Sequence, residues 1–131
     1  MKQDYPFDPA ADANRAVFEY IRKFGAHSDL VELLIPALKP LGDIQTFSPG
    51  SYGYFAVSTK GIIIAFVIGT DTIAFRLDNR MKERAIATGG NAFPECGDGW
   101  VAFEPFRPDW PRVDFEFWAR KAYVFVREAI P

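Results

Sequence analysis

Histidine and cysteine are almost missing from this chain: His27 and Cys96 are the single examples among 131 residues. One cysteine excludes an internal disulfide framework and fits a reducing compartment. One histidine with one cysteine falls short of the three or four nitrogen and sulfur ligands of a usual zinc site. The longest apolar run, IIIAFVI at 62–68, is far shorter than the roughly 20 residues of a membrane span. The opening segment MKQDYPFDPAADANR is acidic and proline-bearing and has no apolar signal core. A basic excess is missing as well. With a net charge of -2, recognition of nucleic acid through phosphate contacts is disfavoured. The glycine pair at 89–90 follows a helix instead of opening one, and the GSYG stretch leads into a strand without a Walker lysine. Neither has the form of a phosphate cradle. These absences lead to the expectation of a soluble, cytoplasmic protein with no membrane segment, no metal and no cofactor.

What the chain has in surplus is aromatic residues, thirteen of them phenylalanine. They supply a core and raise the odds of an apolar partner surface. A chain of this length is expected to form one domain over residues 1–131. Asp8-Pro9 reads as a helix start, with Asp as cap and Pro in the first turn. Val17, Tyr20, Ile21 and Phe24 follow at helical spacing until Gly25. Ser28 reads as the cap of a second helix carrying Leu30, Leu33, Leu34 and Leu38, which Pro36 should end or kink near Ile35. The two helices are expected to pack as a hairpin.

From residue 44 the period shifts to that of strands. The runs SYGYFAVS, GIIIAFVIG and DTIAFRLD, separated by short turn segments, predict an antiparallel meander. Residues 62–68 are apolar on both faces, which predicts a central strand. In the following strand Ile73, Phe75 and Leu77 alternate with Thr72, Ala74 and Arg76, suggesting one face on the core and one in water. Asp78 then caps a third helix in which Met81 and Ala85 point inward, and Gly89-Gly90 stops it. GWVAFEPF reads as a fourth strand. Residues 114–129 form the strongest helix, with Phe115, Trp118, Ala122, Phe125 and Ala129 as its apolar stripe. The fold class is therefore α+β: an antiparallel meander with an N-terminal helical hairpin and a C-terminal helix, in the order ααβββαβα.

Chemistry-bearing candidates are few. Cys96 has Glu95 and Asp98 nearby, which raise a thiol pKa instead of lowering it, so a nucleophilic role is disfavoured. Glu95, Asp98 and Glu104 match no cation loop of known ligand spacing. Asp98, between two glycines, reads as a turn. Arg76, Arg80, Lys82 and Arg84 cluster around the third helix, and Arg80 and Arg84 share a helical face. Arg76, Arg80 and Arg84 are candidates for an anion-facing surface, set against the plainer reading of a solvated face. The stretch FEPFRPDWPR holds the other candidate. Phe106, Trp110 and Trp118 are placed beside Tyr52 and Tyr54 as an aromatic groove, with Arg107 and Arg112 at its rim. Such residues are typical of binding hot spots. The competing reading is a proline-stiffened crossover whose tryptophan caps the core.

Certain segments carry a family resemblance. They are LVELLIPALKPLGDI, the run from GSYGYFAVS to TGGNAF, and WARKA. In order they resemble the N-terminal domain of the TfoX competence regulators and the stand-alone domains similar to it. The matching marks are Pro40-Leu41-Gly42, Gly50 with Tyr52-Gly53, Asp78, Gly89 and Trp118-Ala119-Arg120, and the resemblance spans roughly residues 28–129. These marks are structural punctuation. Two departures stand out: TFSPGS replaces the arginine-methionine-phenylalanine-glycine-glycine run of the family, and Phe93 precedes Pro94 where a proline is usual. The resemblance implies a bacterial, non-enzymatic regulatory or protein-interaction module, acting on a protein partner or by self-association. The alternative is a small-molecule-binding protein or enzyme that uses the aromatic and arginine groove.

Overall fold

Lys60 and Gly61 both adopt positive φ, 52° and 77°, the signature of a two-residue type I′ turn. That turn joins β2 (Phe55–Thr59) to β3 (Ile62–Ile68). The other elements are α1 (Asp12–Ile21), α2 (Ser28–Leu38), β1 (Gln45–Phe47), β4 (Thr72–Arg76), α3 (Asn79–Ala87), β5 (Asn91–Ala92), a 3₁₀ turn at Pro94–Cys96, β6 (Trp100–Phe103) and α4 (Phe115–Ala129). This computed structural model describes residues 5–50, 53–106 and 113–129. The strands form one six-stranded antiparallel sheet in the order β1-β2-β3-β4-β6-β5, so the protein is a single α+β domain. Strands β1 and β5, which the sequence pattern does not announce, are its short edges.

β3 lies inside the sheet as its uniform apolarity predicts, and residues 63–68 are all buried. It carries a bulge. Val57 pairs with Ala65 and Ser58 with Ile63, which leaves Ile64 as the extra residue and turns it to the same side as Ala65.

The sheet is covered on both faces. One face carries Val57, Val67, Ile73, Phe75, Val101 and Phe103 against α2 and α4. The other carries Ala56, Phe66, Ala74, Trp100 and Ala102 against α1, Phe7 and Cys96. This corrects two expectations. The second face of β4 does not meet water: Ala74 is fully buried there. The helical hairpin does not form either, because α1 and α2 belong to opposite clusters. The link between them is stitched to the sheet ends. Gly69 N–H donates to the Gly25 carbonyl at 2.6 Å, and His27 N–H to the Gly69 carbonyl at 2.9 Å. The chain therefore passes from one face to the other instead of doubling back.

Helix ends follow capping chemistry with small shifts from the expected residues. Asp8 does not start α1. It closes a preceding turn, its carboxylate accepting from Ala10 N–H at 2.9 Å. His27, not Ser28, caps α2 by accepting from Asp29 N–H at 3.2 Å. Pro36 lies within α2, which continues to Leu38. A proline there removes one bond, to the carbonyl of Glu32, and Glu32 is exposed. Asp78 caps α3, accepting from Met81 N–H at 2.8 Å. At the other end Gly89, with φ 114°, sets a Schellman turn. Gly90 N–H reaches the Ala85 carbonyl at 2.9 Å and Gly89 N–H the Ile86 carbonyl at 3.2 Å. In α4 the buried stripe is Trp118, Ala119, Ala122 and Val126. Phe125 is half-buried and Ala129 exposed, so the helix is rotated slightly from the expected stripe.

Two polar side chains, one buried and one half-buried, fasten α1 to its face. Asn14, fully buried, donates to the carbonyls of Asp8 and Gly61, each at 2.9 Å, and accepts from Ile63 N–H at 2.9 Å. Arg76 reaches from β4 to the Ala13 carbonyl. Among the described residues no helix is long and apolar enough to cross a membrane.

Candidate ligand-binding site

The sheet separates residues that the sequence reading placed together. Tyr54 is buried on the α1 face, edge-on to Phe18 with centroids 6.2 Å apart. Burial pushes its phenol up to about 12. Trp118 is buried on the opposite face, 5.7 Å from Phe103. Phe106 follows β6 and is half exposed, at 51%. Tyr52, Arg107, Trp110 and Arg112, the rest of that predicted groove, lie outside the described residues.

The three arginines of the predicted basic face also divide. Arg76 alternates with Phe75 along β4 and points to the α1 side. There Nε donates to the Ile63 carbonyl at 2.9 Å and Nη2 to the Ala13 carbonyl at 2.6 Å. Its guanidinium sits 4.9 Å from the Trp100 ring centroid, and burial lowers its pKa to about 10. It belongs to the framework of the α1 face. Arg80 and Arg84 remain on α3 and line separate cavities beside α4.

Cys96 is 4% exposed. Burial, aided by Glu95 and opposed by Arg76, pushes its thiol up to about 12. It is therefore a neutral thiol at physiological pH, without the thiolate a nucleophile needs. Asp98 pairs with Lys82 at 3.2 Å in the turn before β6. Among the described residues no group of three or more His, Cys, Asp or Glu side chains is placed to hold a metal ion.

A concave site floored by aromatic side chains lies between α3 and the start of α4. α3 rests on β5 and β6, whereas α4 rests on α2, β3 and β4. Their different supports leave a cavity of about 280 Å³ lined by Arg84, Thr88, Phe103, Val113, Asp114, Phe117 and Trp118. Its floor is aromatic. Phe103 and Trp118 are buried at 1% and 5% exposure, and Phe117 meets Trp118 edge-on at 4.8 Å. Its rim is polar, with Arg84, Thr88 and Asp114 exposed.

Local structure fixes each rim group. Asp114 caps α4, accepting from Phe117 N–H at 3.1 Å. The Thr88 hydroxyl at the end of α3 donates to the Ala85 carbonyl at 3.0 Å. The Arg84 guanidinium lies 5.1 Å from the Phe117 ring centroid, and Lys121 Nζ lies 5.3 Å from the same ring, both within cation–π range. Arg84 and Asp114 share this cavity without forming an ion pair with each other. Among the described residues neither has an ionic partner elsewhere.

Arg84 and Trp118 were legible as candidates, but in two different proposed sites. Phe103, Phe117, Thr88 and Asp114 were missed as site residues. Asp114 directly before the helix pattern FEFW is a cap signal, and that is the sequence cue that could have found it. A second depression, of about 350 Å³, lies between the end of α2 and β1. It is apolar, lined by Ile35, Leu38, Leu41, Ile44 and Phe55, with Lys39 and Thr46 at its margin.

No family model matches the chain, and no curated protein and no solved structure matches it.

Proposed function

We propose that this domain is a non-catalytic binding module whose ligand is a small, ring-bearing molecule held between α3 and α4. The observation that carries this reading is the combination of an aromatic floor, made by Phe103, Phe117 and Trp118, with a rim of fixed polar groups. Small-molecule sites are typically mostly apolar clefts with a few placed polar groups. The resemblance to TfoX N-terminal domains is compatible with a regulatory domain that senses such a molecule. Calorimetric titration with indole tests the reading. Indole should bind the wild type, and Phe117→Ala should weaken binding by roughly tenfold, a loss of about 1.4 kcal/mol. No heat with the wild type, or equal affinity in the variant, would refute it.

A second reading, docking of a protein partner, is favoured by the apolar depression beside α2, where Ile35 is 43% exposed. Sedimentation of the wild type and of Ile35→Asp tests self-association through this face. A concentration-dependent dimer lost in the variant supports it, and a monomer in both contradicts that form of it.

A further inference from the structure

This inference rests on the proposed use of the α3–α4 cavity and concerns the chemistry of what enters it. The rim presents two charges of opposite sign, Arg84 from α3 and Asp114 from the start of α4. They line one cavity and are not paired with each other. A purely anionic guest would satisfy Arg84 and meet the Asp114 carboxylate. A purely cationic guest would satisfy Asp114 and meet Arg84, with Lys121 beside the same Phe117 ring. A guest carrying both charges satisfies both ends.

Hydrogen-bonding capacity agrees with the charges. One Asp114 carboxylate oxygen accepts from Phe117 N–H, which leaves the second oxygen for a ligand donor. The Thr88 hydroxyl spends its proton on the Ala85 carbonyl, so towards the cavity it offers lone pairs, not a hydrogen. Asp114 and Thr88 therefore both act as acceptors, the complement of an ammonium group with its three donors. Arg84 offers only donors, the complement of a carboxylate, and its stacking on Phe117 holds the guanidinium at the rim.

Size sets the remaining limit. The cavity, at about 280 Å³, lies near the lower end of the roughly 300–1,000 Å³ typical of small-molecule pockets. It admits a single small molecule and not a folded peptide. The floor of Phe103, Phe117 and Trp118 suits a flat apolar side chain. We propose that the cavity binds a small zwitterion with an aromatic side chain, of the class of free aromatic amino acids. Its carboxylate would lie on Arg84, its ammonium on Asp114 and Thr88, and its ring on the aromatic floor.

The test uses four probes that share one ring: indole, L-tryptophan, indole-3-propionate and tryptamine. Each is titrated calorimetrically into the full chain and two rim variants. Arg84→Met keeps a long helix-compatible side chain, and Asp114→Asn keeps the helix cap while removing the charge. Thermal unfolding of both variants confirms that they are folded. L-tryptophan is expected to bind about tenfold or more tighter than either singly charged analogue. Arg84→Met should weaken L-tryptophan and indole-3-propionate by roughly tenfold and leave tryptamine unweakened. Asp114→Asn should weaken L-tryptophan and tryptamine and leave indole-3-propionate unweakened. If indole binds but L-tryptophan is no tighter than the charged analogues, or the two variants do not sort the probes by charge, the zwitterion assignment is overturned and the cavity reading stands. If no probe binds, both are overturned.

Discussion

Arg76 and Trp100 are cross-strand neighbours on β4 and β6, and the guanidinium stacks 4.9 Å from the indole ring. The same guanidinium holds the carbonyls of Ile63 and Ala13, so one side chain joins β4, β3, β6 and α1. No carboxylate among the described residues shares this pocket in an ion pair with it. The charge is held by carbonyl dipoles and an aromatic face. Replacing Arg76 with Met keeps apolar bulk and removes both hydrogen bonds. Such bonds to a charged donor contribute about 1.5–3 kcal/mol each, so Arg76→Met should lower unfolding stability by about 2–4 kcal/mol after repacking. Urea denaturation measures it. A variant within about 0.5 kcal/mol of wild type, the range of an ordinary surface change, would show that the contact is incidental.

Gly90 lies where α3 turns back towards the sheet. A Cβ there would stand 2.7 Å from Val101 Cγ1, 3.0 Å from Phe103 Cε1 and 3.1 Å from the Ala85 carbonyl. The first two partners belong to the packed face under α2 and α4, so neither can move freely. Gly90→Ala should therefore cost about 1–3 kcal/mol through overpacking, despite removing a flexible glycine. Thermal unfolding monitored by circular dichroism checks it. An unchanged or raised midpoint would mean that α3 can lift off the sheet at little cost.

These two sites show what the sequence could and could not reveal. The apolarity of residues 62–68 placed β3 in the interior because both faces of a central strand must be covered. Asp78 and Gly89-Gly90 bounded α3 because capping is a local matter of a few residues. The role of Arg76 was hidden. Alternation shows that it points away from Phe75, but not that a helix covers the other side. The position of α1 depends on bonds such as Asn14 to Ile63, whose partners are distant in sequence. The misplaced hairpin has the same cause: an apolar stripe shows that a helix has a buried side, not which sheet face it covers. β1 and β5, of three and two residues, are too short to carry a period. The cavity is a non-local object, assembled from Arg84 and Thr88 on one helix, Asp114 and Phe117 on another and Phe103 from a strand. Only Arg84 and Trp118 of its lining stood out by residue type.

Cys96 yields a pH dependence that can be measured. An unfolded thiol ionises near its ordinary 9.0, while burial holds the folded one up to about 12. Folding therefore favours the neutral thiol. That stability is complete below pH 9 and is lost progressively as pH rises toward 12. Between pH 9 and 10 the loss should be about 1 kcal/mol. As pH approaches and passes 10, Tyr54, raised to about 12, and Tyr20, also raised by burial, add losses of the same sign, and Arg76, lowered to about 10, opposes them. Because these groups are common to both proteins, the difference between wild type and Cys96→Ala isolates the thiol. Urea midpoints of wild type and Cys96→Ala, compared across that interval, should converge as pH rises. Parallel curves would mean that the thiol is not buried in solution.

The cavity between α3 and α4 is the centre of the proposed function. Its most direct test is the mapping of amide and tryptophan side-chain shifts in an isotope-labelled sample titrated with L-tryptophan. Saturable shifts concentrated at residues 84–90, 103 and 113–118, with the Trp118 side-chain signal moving among them, are the predicted result. Shifts centred on Ile35, Leu41 and Ile44 at the α2 depression, or none at saturating probe, would contradict it.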